Sequence, residues 1–459
     1  MYTYRNTRRI TVSVCLCTLM LAGGMLATLR PVRADGGRGY MPGEIVVKLY
    51  NASDLPGVAA DFGLDPQPRK QFGSRPIYVL IIKDGDDAQD KAQKMAKDSR
   101  VQYVEPNHRY SAPEGQKRSS WARVENVADY AEQWAAAKIH LPEAHTAGSG
   151  AGVIVAVLDT GVDATHAALA GHLMSGYDFV DMDADPSEVG VPEVDSVYGH
   201  GTHVAGIVAL TAPQAKIMPV RVLDQNGEGN IWVLAEALRY AVNPDGDLST
   251  DDGATVINMS LGTDQRTAFL DDIVNLVTCS NYGSGEGGHD LQAAKGVTMG
   301  ANGKPEECLS GKGAVIVAAA GNDGNTLKEY PAAEDSKGVL AVAATTQDDV
   351  RATYSNYGSW VQIGAPGDAI LSTVPGNQWG AWSGTSMATP FVAGVAALVQ
   401  SNTTGLTPDE VTRRIVNSAD TISGEVRLRV DAAAALGVTM VDPSTTPVLY
   451  LPMLSARTR

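Results

Sequence analysis

The sequence predicts an α/β protein built on a doubly wound, mostly parallel sheet with helices on both faces, preceded by a small α+β unit. Two observations support this fold class. From Trp121 onward, short apolar runs rich in Val, Ile and Ala alternate with segments of helical length, as expected for parallel strands covered on both faces. Residues 40–110 instead follow a compact strand–helix–strand–helix–strand order, which is typical of an α+β unit.

The first 34 residues have the composition of an export signal. Arg5, Arg8 and Arg9 precede an apolar stretch over 10–29, and small or branched residues surround Ala34. This pattern predicts a signal peptide over 1–34 and a secreted, extracellular protein without a stable membrane span after its removal. An uncleaved membrane anchor is the alternative, because the apolar stretch is long enough to cross a bilayer.

The small unit is predicted to occupy 35–118 together with its linker, with a core over 43–110. Periodicity predicts strands at 44–50, 77–82 and 101–104 and helices at 55–62 and 88–99. Residues 106–120 are polar and contain Pro113 and Gly115. They are predicted to form an exposed linker that is open to proteolysis.

The large domain is predicted over 119–437, followed by a tail over 438–459. Its strands are predicted at 152–158, 217–223, 255–259, 313–320 and 339–344, and its helices at 201–210, 231–242, 268–279 and after Ser386. In a sheet of this type the carboxyl ends of the strands carry the functional residues.

Charge and cysteine content restrict the partners and the compartment. The chain carries 36 Lys and Arg against 52 Asp and Glu, a formal net charge of −16, which argues against nucleic acid as a partner. Two of the four cysteines lie in the leader, leaving Cys279 and Cys308. In an exported chain these two are predicted to form a disulfide, with two buried free thiols as the alternative.

Three polar residues stand at predicted strand–helix junctions in the order Asp159, His200, Ser386. Ser386 begins an almost wholly apolar helix, and Pro390 fits its first turn. Unpaired N–H groups at that helix start would favour an oxygen anion beside the serine. An aspartate, a histidine and a serine together can form a nucleophile activated by a charge-stabilised base.

The motifs around these residues resemble those of subtilisin-like serine proteases, and most of all the thermitase-like branch. They are Leu158–Gly161, Gly199–Gly206 and Gly384–Pro390. The resemblance implies a subtilisin-like fold and catalytic roles for Asp159, His200 and Ser386. It also implies that Asn322, at the end of the segment 318–322, donates a hydrogen bond to the reaction's oxyanion.

The same resemblance gives the small unit a role. Its strand pattern and its ending over 103–107 are similar to the ferredoxin-like propeptide of these proteases. This implies an intramolecular inhibitor that is removed by self-processing, with the mature chain starting between Ser111 and Tyr130. A permanently attached module is the alternative.

Substrate contacts also follow from the resemblance, which implies polypeptide substrates held as an added strand. Ser260, Leu261 and Gly262 would form one side of the cleft and Gly229 the other, and Ala319, Ala320 and Gly321 would line the first specificity pocket. Glu329 corresponds to a pocket-wall residue, where a carboxylate would favour Lys or Arg in the substrate. A glutamate that points to solvent is the alternative.

One acidic loop is a candidate metal site. Asp178, Asp181, Asp183 and Asp185 place four carboxylates close together in the sequence, which suits a hard cation. Their positions resemble a calcium loop of the thermitase branch, so Ca²⁺ is expected as a structural cofactor. The alternative is a solvated acidic loop.

Taken together, these features predict a secreted, monomeric serine endopeptidase that acts through an acyl-enzyme and is processed from an inhibited precursor. The alternative is a catalytically silent, subtilase-like module that binds proteins without cutting them.

Overall fold

The computed structural model describes residues 39–116, 122–123, 128–192, 194–247, 250–279 and 313–439. The predicted leader, the C-terminal tail beyond residue 439 and Cys308 lie outside these ranges. Among the described residues, none of the helices combines the length and the apolar character that a membrane crossing requires.

The small unit is a four-stranded antiparallel sheet with two helices. It contains β1 (Tyr40–Leu49), α1 (Leu55–Asp61), β2 (Lys70–Gln71), β3 (Ile77–Ile81), α2 (Ala88–Met95) and β4 (Val101–Ser111). The strand order is β2-β3-β1-β4. Ile45, Val47, Leu80 and Met95 are among the apolar side chains of a buried core within this unit.

A nine-stranded sheet forms the centre of the large domain. Its strands are β6 (Ile154–Asp159), β7 (Tyr177–Asp178), β8 (Lys216–Arg221), β10 (Val256–Met259), β11 (Val315–Ala319), β12 (Val339–Thr345), β13 (Ile363–Pro366), β16 (Asp420–Thr421) and β17 (Leu428–Arg429). The order is β16-β17-β13-β12-β11-β10-β6-β8-β7, and the pairs are parallel except β16 with β17. Separately, β14 (Ile370–Val374), β15 (Gln378–Trp382) and β5 (Ala122–Arg123) form a small antiparallel sheet.

Helices cover both faces of the large sheet. They are α3 (Ala128–Ala131), α4 (Trp134–Lys138), α5 (Leu141–Ala144), α6 (His200–Thr211), α7 (Ile231–Val242), α8 (Ala268–Thr278), α9 (Thr385–Asn402), α10 (Pro408–Asn417) and α11 (Ala432–Ala435). Along β6, Val155 and Val157 pack with α6 and α9, whereas Ala156 and Leu158 pack with α7 and α8. Because successive side chains of a strand point to opposite faces, this alternation confirms the predicted doubly wound fold.

The helix α9 runs through the middle of the molecule, and every residue from Thr385 to Val399 is buried. It packs closely on α6 at Gly394, where a Cβ atom would overlap the side chain of Thr211. The absence of a side chain at Gly394 therefore sets how closely these two helices approach.

The prediction that residues 106–120 form an exposed linker is wrong for residues up to Glu114. The strand β4 continues to Ser111 and pairs with β9 (Glu228–Asn230) of the large domain. Tyr110, Ala112 and Glu114 are buried. Hydrogen bonds to a distant segment satisfy the backbone there, and the local sequence contains no sign of this partner.

Candidate active site

Asp159 and His200 meet at the carboxyl edge of the large sheet. Asp159 is the last residue of β6, and His200 is the first residue of α6. Asp159 Oδ1 lies 2.7 Å from His200 Nδ1 and also accepts the N–H of Thr160 at 2.8 Å. The ring of Trp382 packs edge-on against the imidazole with 5.5 Å between centroids. The carboxylate therefore fixes the orientation of a buried histidine ring.

Ser386 reaches the same place from α9. It is the second residue of that helix, so its N–H is one of the first four amides that lack a partner within the helix. Its Oγ donates to a side-chain oxygen of Glu114 at 2.6 Å and lies 3.4 Å from the carbonyl oxygen of Ser260. The three residues predicted from widely separated motifs thus surround one small space.

Glu114, on the linker after β4, fills that space. Its Oε2 contacts both Ser386 Oγ and His200 Nε2, the latter at 3.1 Å, and its Oε1 accepts from Asn322 Nδ2 at 2.7 Å. A Cβ atom on Gly384 would overlap this carboxylate. Glu114 has no distinctive sequence signal, because Pro113-Glu114-Gly115 has the composition of an ordinary exposed turn.

The charges in this centre stabilise one another. Burial alone would lower the pKa of His200, but the carboxylates of Asp159 and Glu114 raise it to about 10. Burial also opposes ionisation of Glu114, yet its hydrogen bond and ion pair with His200 hold its pKa below the usual value. With the linker in place, this buried centre therefore contains an imidazolium ion between two carboxylates.

Asn322 is oriented by the start of α9. Its Oδ1 accepts the N–H of Thr385 at 3.0 Å and the hydroxyl of Thr385 at 2.9 Å. This leaves its Nδ2 group pointing at the carboxylate of Glu114. The side chain is thus a fixed donor to a negatively charged oxygen, which is the arrangement that an oxyanion site requires.

The linker lies in the cleft as an added strand. Ser111 exchanges two backbone hydrogen bonds of 3.0 Å with Gly262, and Ala112 N–H donates to the carbonyl of Gly227 at 3.0 Å. On the other side Tyr110 pairs with Gly229. A Cβ atom at Gly229 would overlap the phenol ring of Tyr110, whose hydroxyl donates to the carbonyl of Val222.

The remaining cleft residues differ in position. Ala319, Gly321 and Glu329 line a cavity of about 550 Å³ beside the linker. Leu261 and Ala320 are instead fully buried in the core of the domain. Burial, together with the charges of Asp264 and Asp323, raises the pKa of Glu329 to about 7.

His203 follows His200 on α6 but has a structural environment. It is fully buried, and its Nε2 donates to the carbonyls of Ile370 and Gly380 at 3.1 Å each. Burial and the nearby charge of His200 lower its pKa to about 3. His203 is therefore neutral and ties α6 to the β14–β15 hairpin.

The four carboxylates of the acidic loop do not share one point. Arg221 Nη1 donates to Asp178 at 2.5 Å and to Asp181 at 2.6 Å. Asp183 and Asp185 instead accept N–H groups two residues further along the chain. The guanidinium of Arg221 therefore neutralises Asp178 and Asp181. A cation bound in this loop would be held mainly by Asp183 and Asp185.

The large domain matches a known sequence family. Residues 150–441 match the subtilase family, and residues 27–107 match the N-terminal prodomain of fervidolysin-like proteins. The chain is 33% identical over 403 residues to a thermophilic serine proteinase of Bacillus sp. (strain AK1), covering 84% of each chain. It is 38% identical over 302 residues to thermitase of Thermoactinomyces vulgaris, covering 64% of this chain and 90% of the relative.

Solved structures agree with the fold. Fervidolysin from Fervidobacterium pennivorans, described as a keratinolytic enzyme related to subtilisin, superposes with a TM-score of 0.64 at 24% identity. That likeness covers 87% of this chain and 61% of the solved one. A protease from Pseudoalteromonas arctica gives a TM-score of 0.55 at 30% identity, covering 67% of this chain and 97% of its own.

Proposed function

Because this chain is a serine endopeptidase of the subtilase family with an N-terminal propeptide, we propose that Asp159, His200 and Ser386 carry out peptide-bond hydrolysis. His200 takes the proton from Ser386 as its oxygen attacks the substrate carbonyl, and Asp159 stabilises the imidazolium. Asn322 and the N–H of Ser386 hold the resulting oxyanion. The acyl-enzyme forms when His200 returns the proton to the leaving amine, and water then releases the acid.

One observation carries this assignment. A single oxygen of Glu114 contacts both Ser386 Oγ and His200 Nε2, while the other oxygen accepts from Asn322. The nucleophile, the base and the oxyanion donor therefore already face one common point. A substrate carbonyl at that point would contact all three groups.

The test compares Ser386→Ala with Ser401→Ala, a serine at the other end of the same helix. We expect Ser386→Ala to abolish casein digestion and labelling by a fluorophosphonate, and Ser401→Ala to retain both. A catalytically silent binding module would show neither activity in the native chain. Digestion that persists in Ser386→Ala would overturn the assignment.

We further propose that the chain is secreted as a precursor, that residues 1–34 direct its export, and that it processes itself within the linker. The linker lies in the cleft as a strand up to Ala112, and Glu114 then turns its side chain, not a peptide carbonyl, toward Ser386. Glu114 thus keeps the reactive centre filled and His200 protonated. Cleavage of the linker requires this carboxylate to leave.

Replacing Glu114 tests this role directly. Glu114→Ala should convert the full-length precursor to the mature form several-fold faster than the native chain, as followed by gel electrophoresis over time. Glu132→Ala, at an exposed acid outside the cleft, should process at the native rate. An unchanged or slower rate for Glu114→Ala would contradict an inhibitory role.

Glu329 is proposed to favour a basic side chain in the first specificity pocket. Its carboxylate lies in the cavity wall beside Gly262, where an added Cβ would come within 3.1 Å of it. We expect native enzyme to prefer Arg-ending over Phe-ending peptide substrates and Glu329→Ala to lose that preference. If the ratio of kcat/KM is the same in both enzymes, the carboxylate does not set specificity.

A structural calcium ion in the loop over 178–185 and a disulfide between Cys279 and Cys308 are also proposed. Chelation by EGTA should lower the Tm of native enzyme, and Asp183→Asn should lose this response. Alkylation of the denatured, unreduced chain should leave both cysteines unmodified. A Tm insensitive to calcium, or two alkylated thiols, would refute the respective proposal.

A further inference from the structure

Glu188, on the loop between β7 and α6, links the two elements that carry Asp159 and His200. Its Oε1 accepts the hydroxyl of Thr160 at 2.6 Å and the N–H of Gly199 at 3.0 Å. Its Oε2 accepts the hydroxyl and the N–H of Thr202 at 2.8 and 3.3 Å. One carboxylate therefore receives four hydrogen bonds from residues that lie close to Asp159 and His200 in the chain.

The contacting residues adjoin the reacting ones in the chain. Thr160 directly follows Asp159, Gly199 directly precedes His200, and Thr202 lies in the first turn of α6. The hydroxyl of Thr160 also accepts the N–H of Gly201 at 2.9 Å. Thus the end of β6 and the start of α6 are joined through Glu188, through the bond between Thr160 and Gly201 and through the pair of Asp159 and His200.

The backbone of the loop fixes where Glu188 lies. Val162 N–H donates to the carbonyl of Pro186 at 3.0 Å. Gly161 has a φ of +113°, and a Cβ atom there would overlap the backbone of Ser187 and Glu188. Since the loop packs directly against the Asp159 turn, the position of the Glu188 carboxylate does not depend on its side chain alone.

We propose that Glu188 is a positioning residue for peptide hydrolysis. Its ionised carboxylate fixes Asp159 and His200 relative to each other and adds negative charge near the imidazolium that forms during the reaction. The proposal rests on the catalytic roles assigned above. Its four donors match a carboxylate that only accepts hydrogen bonds. A protonated Glu188 would have to donate its O–H to one of the two threonine hydroxyls and would lose the hydrogen bond that this hydroxyl now donates.

The ionisation of Glu188 should therefore affect the reaction near neutral pH. Burial, reinforced by the charge of Asp159 and opposed by the bonds from Thr160 and Thr202, raises the pKa of Glu188 to about 7. Tyr198 is a further titratable group that interacts electrostatically with Glu188. As the pH rises through 7, the carboxylate forms and kcat should rise with it.

The experiment uses mature enzyme produced from the full chain, with Glu188→Gln, Glu188→Asp and the control Asp431→Asn. Asp431 is a buried carboxylate that caps α11 and pairs with His140. We expect Glu188→Gln to lower kcat about tenfold with KM and Tm nearly unchanged, and to make the rise of kcat through pH 7 shallower, because only His200 then contributes to it. Glu188→Asp should restore part of both, and Asp431→Asn should lower Tm but not kcat.

Three results would overturn the proposal: an unchanged kcat, a loss that only follows Tm, or a lower kcat with the same pH profile. If Glu188→Gln does not fold, Thr160→Val replaces it, because this change removes one of the four hydrogen bonds to Glu188. Thr160→Val must then lower kcat and shift the pH at which kcat rises. Native enzyme that fails to cut casein would refute the proposed function. Native activity with unaffected Glu188→Gln would refute only the role of Glu188.

Discussion

His200 is held between two carboxylates of very different origin. Asp159 belongs to the enzyme, whereas Glu114 belongs to a linker that proteolysis is proposed to remove. Both stabilise the protonated ring, so the precursor stores its proposed base in the form that cannot accept a proton. Loss of Glu114 leaves Asp159 alone, which suits a histidine that must cycle between its two forms.

This pairing predicts how the precursor responds to pH. The pKa of His200 is raised from 6.5 to about 10, so the ion pair contributes its full stability below pH 6.5 and loses it as the pH rises through 10. In a Ser386→Ala precursor, which cannot process itself, NMR should show His200 titrating near pH 10. Adding Glu114→Gln should lower that value, and an unchanged titration would show that Glu114 does not contact the ring in solution.

Asn322 offers a second prediction at this scale. Its Oδ1 is tied to Thr385, so Asn322→Ala removes a pre-oriented donor while the start of α9 keeps its other bonds. We expect kcat to fall by about 10²-fold, the loss typical of one oxyanion donor in a subtilisin, with little change in KM. Asn325→Ala, three residues further along the chain at a side chain that accepts the N–H of Leu327, should retain kcat. A large rise in KM would instead assign Asn322 to substrate binding.

At the scale of elements, the small unit caps two helices of the protease. Glu105 accepts the first N–H groups of α8, from Ala268 and Phe269, at 2.9 and 3.1 Å. Asn107 accepts the N–H of Trp232 at the start of α7 at 3.2 Å. These contacts satisfy amides that a helix cannot pair internally, so the unit binds the surface helices as well as the cleft.

Removing one of these helix caps should lower the stability of the precursor. Glu105→Ala in a Ser386→Ala background should lower the free energy of unfolding by about 1 kcal/mol, as measured by urea denaturation. Burial raises the pKa of Glu105 to about 7, so its contribution should weaken as the pH rises from 4.5 through 7. An unchanged free energy of unfolding in Glu105→Ala would show that this carboxylate does not cap α8 in solution.

The elements that the sequence predicted are those whose pattern is local. The strands β6, β11 and β12 are almost continuous apolar runs, and α9 is apolar on nearly every face, so composition alone was sufficient. The extension of β4 into the cleft was missed because its partner, β9, lies more than a hundred residues away. The roles of Glu114 and Glu188 likewise depend on the tertiary fold, since neither has a distinctive neighbour in the chain.

At the scale of the whole molecule, the buried packing of α9 on α6 positions Ser386 relative to His200. Both side chains stand in the first turn of their helices, and the two helices are in contact at Gly394. A change at this crossing should therefore alter stability and geometry together.

Gly394→Ala tests this arrangement. The new methyl group would overlap Thr211, and we expect a loss of about 1–3 kcal/mol of unfolding free energy together with a lower kcat. Gly39→Ala, in the small unit and with no atom within 4 Å of the added carbon, should leave the unfolding free energy of the precursor unchanged. Full stability in Gly394→Ala would mean that the helices can separate freely without cost.

The linker that fills the cleft has a kinetic consequence. While it is intact, inhibitor and enzyme are one molecule, so no dilution can separate them and the local inhibitor concentration is fixed by the tether. Once it is cut, the fragment can diffuse away, and the fraction of enzyme that is blocked then depends on how much protein is present. Release into a large extracellular volume would thus complete an activation that a crowded compartment would hold back.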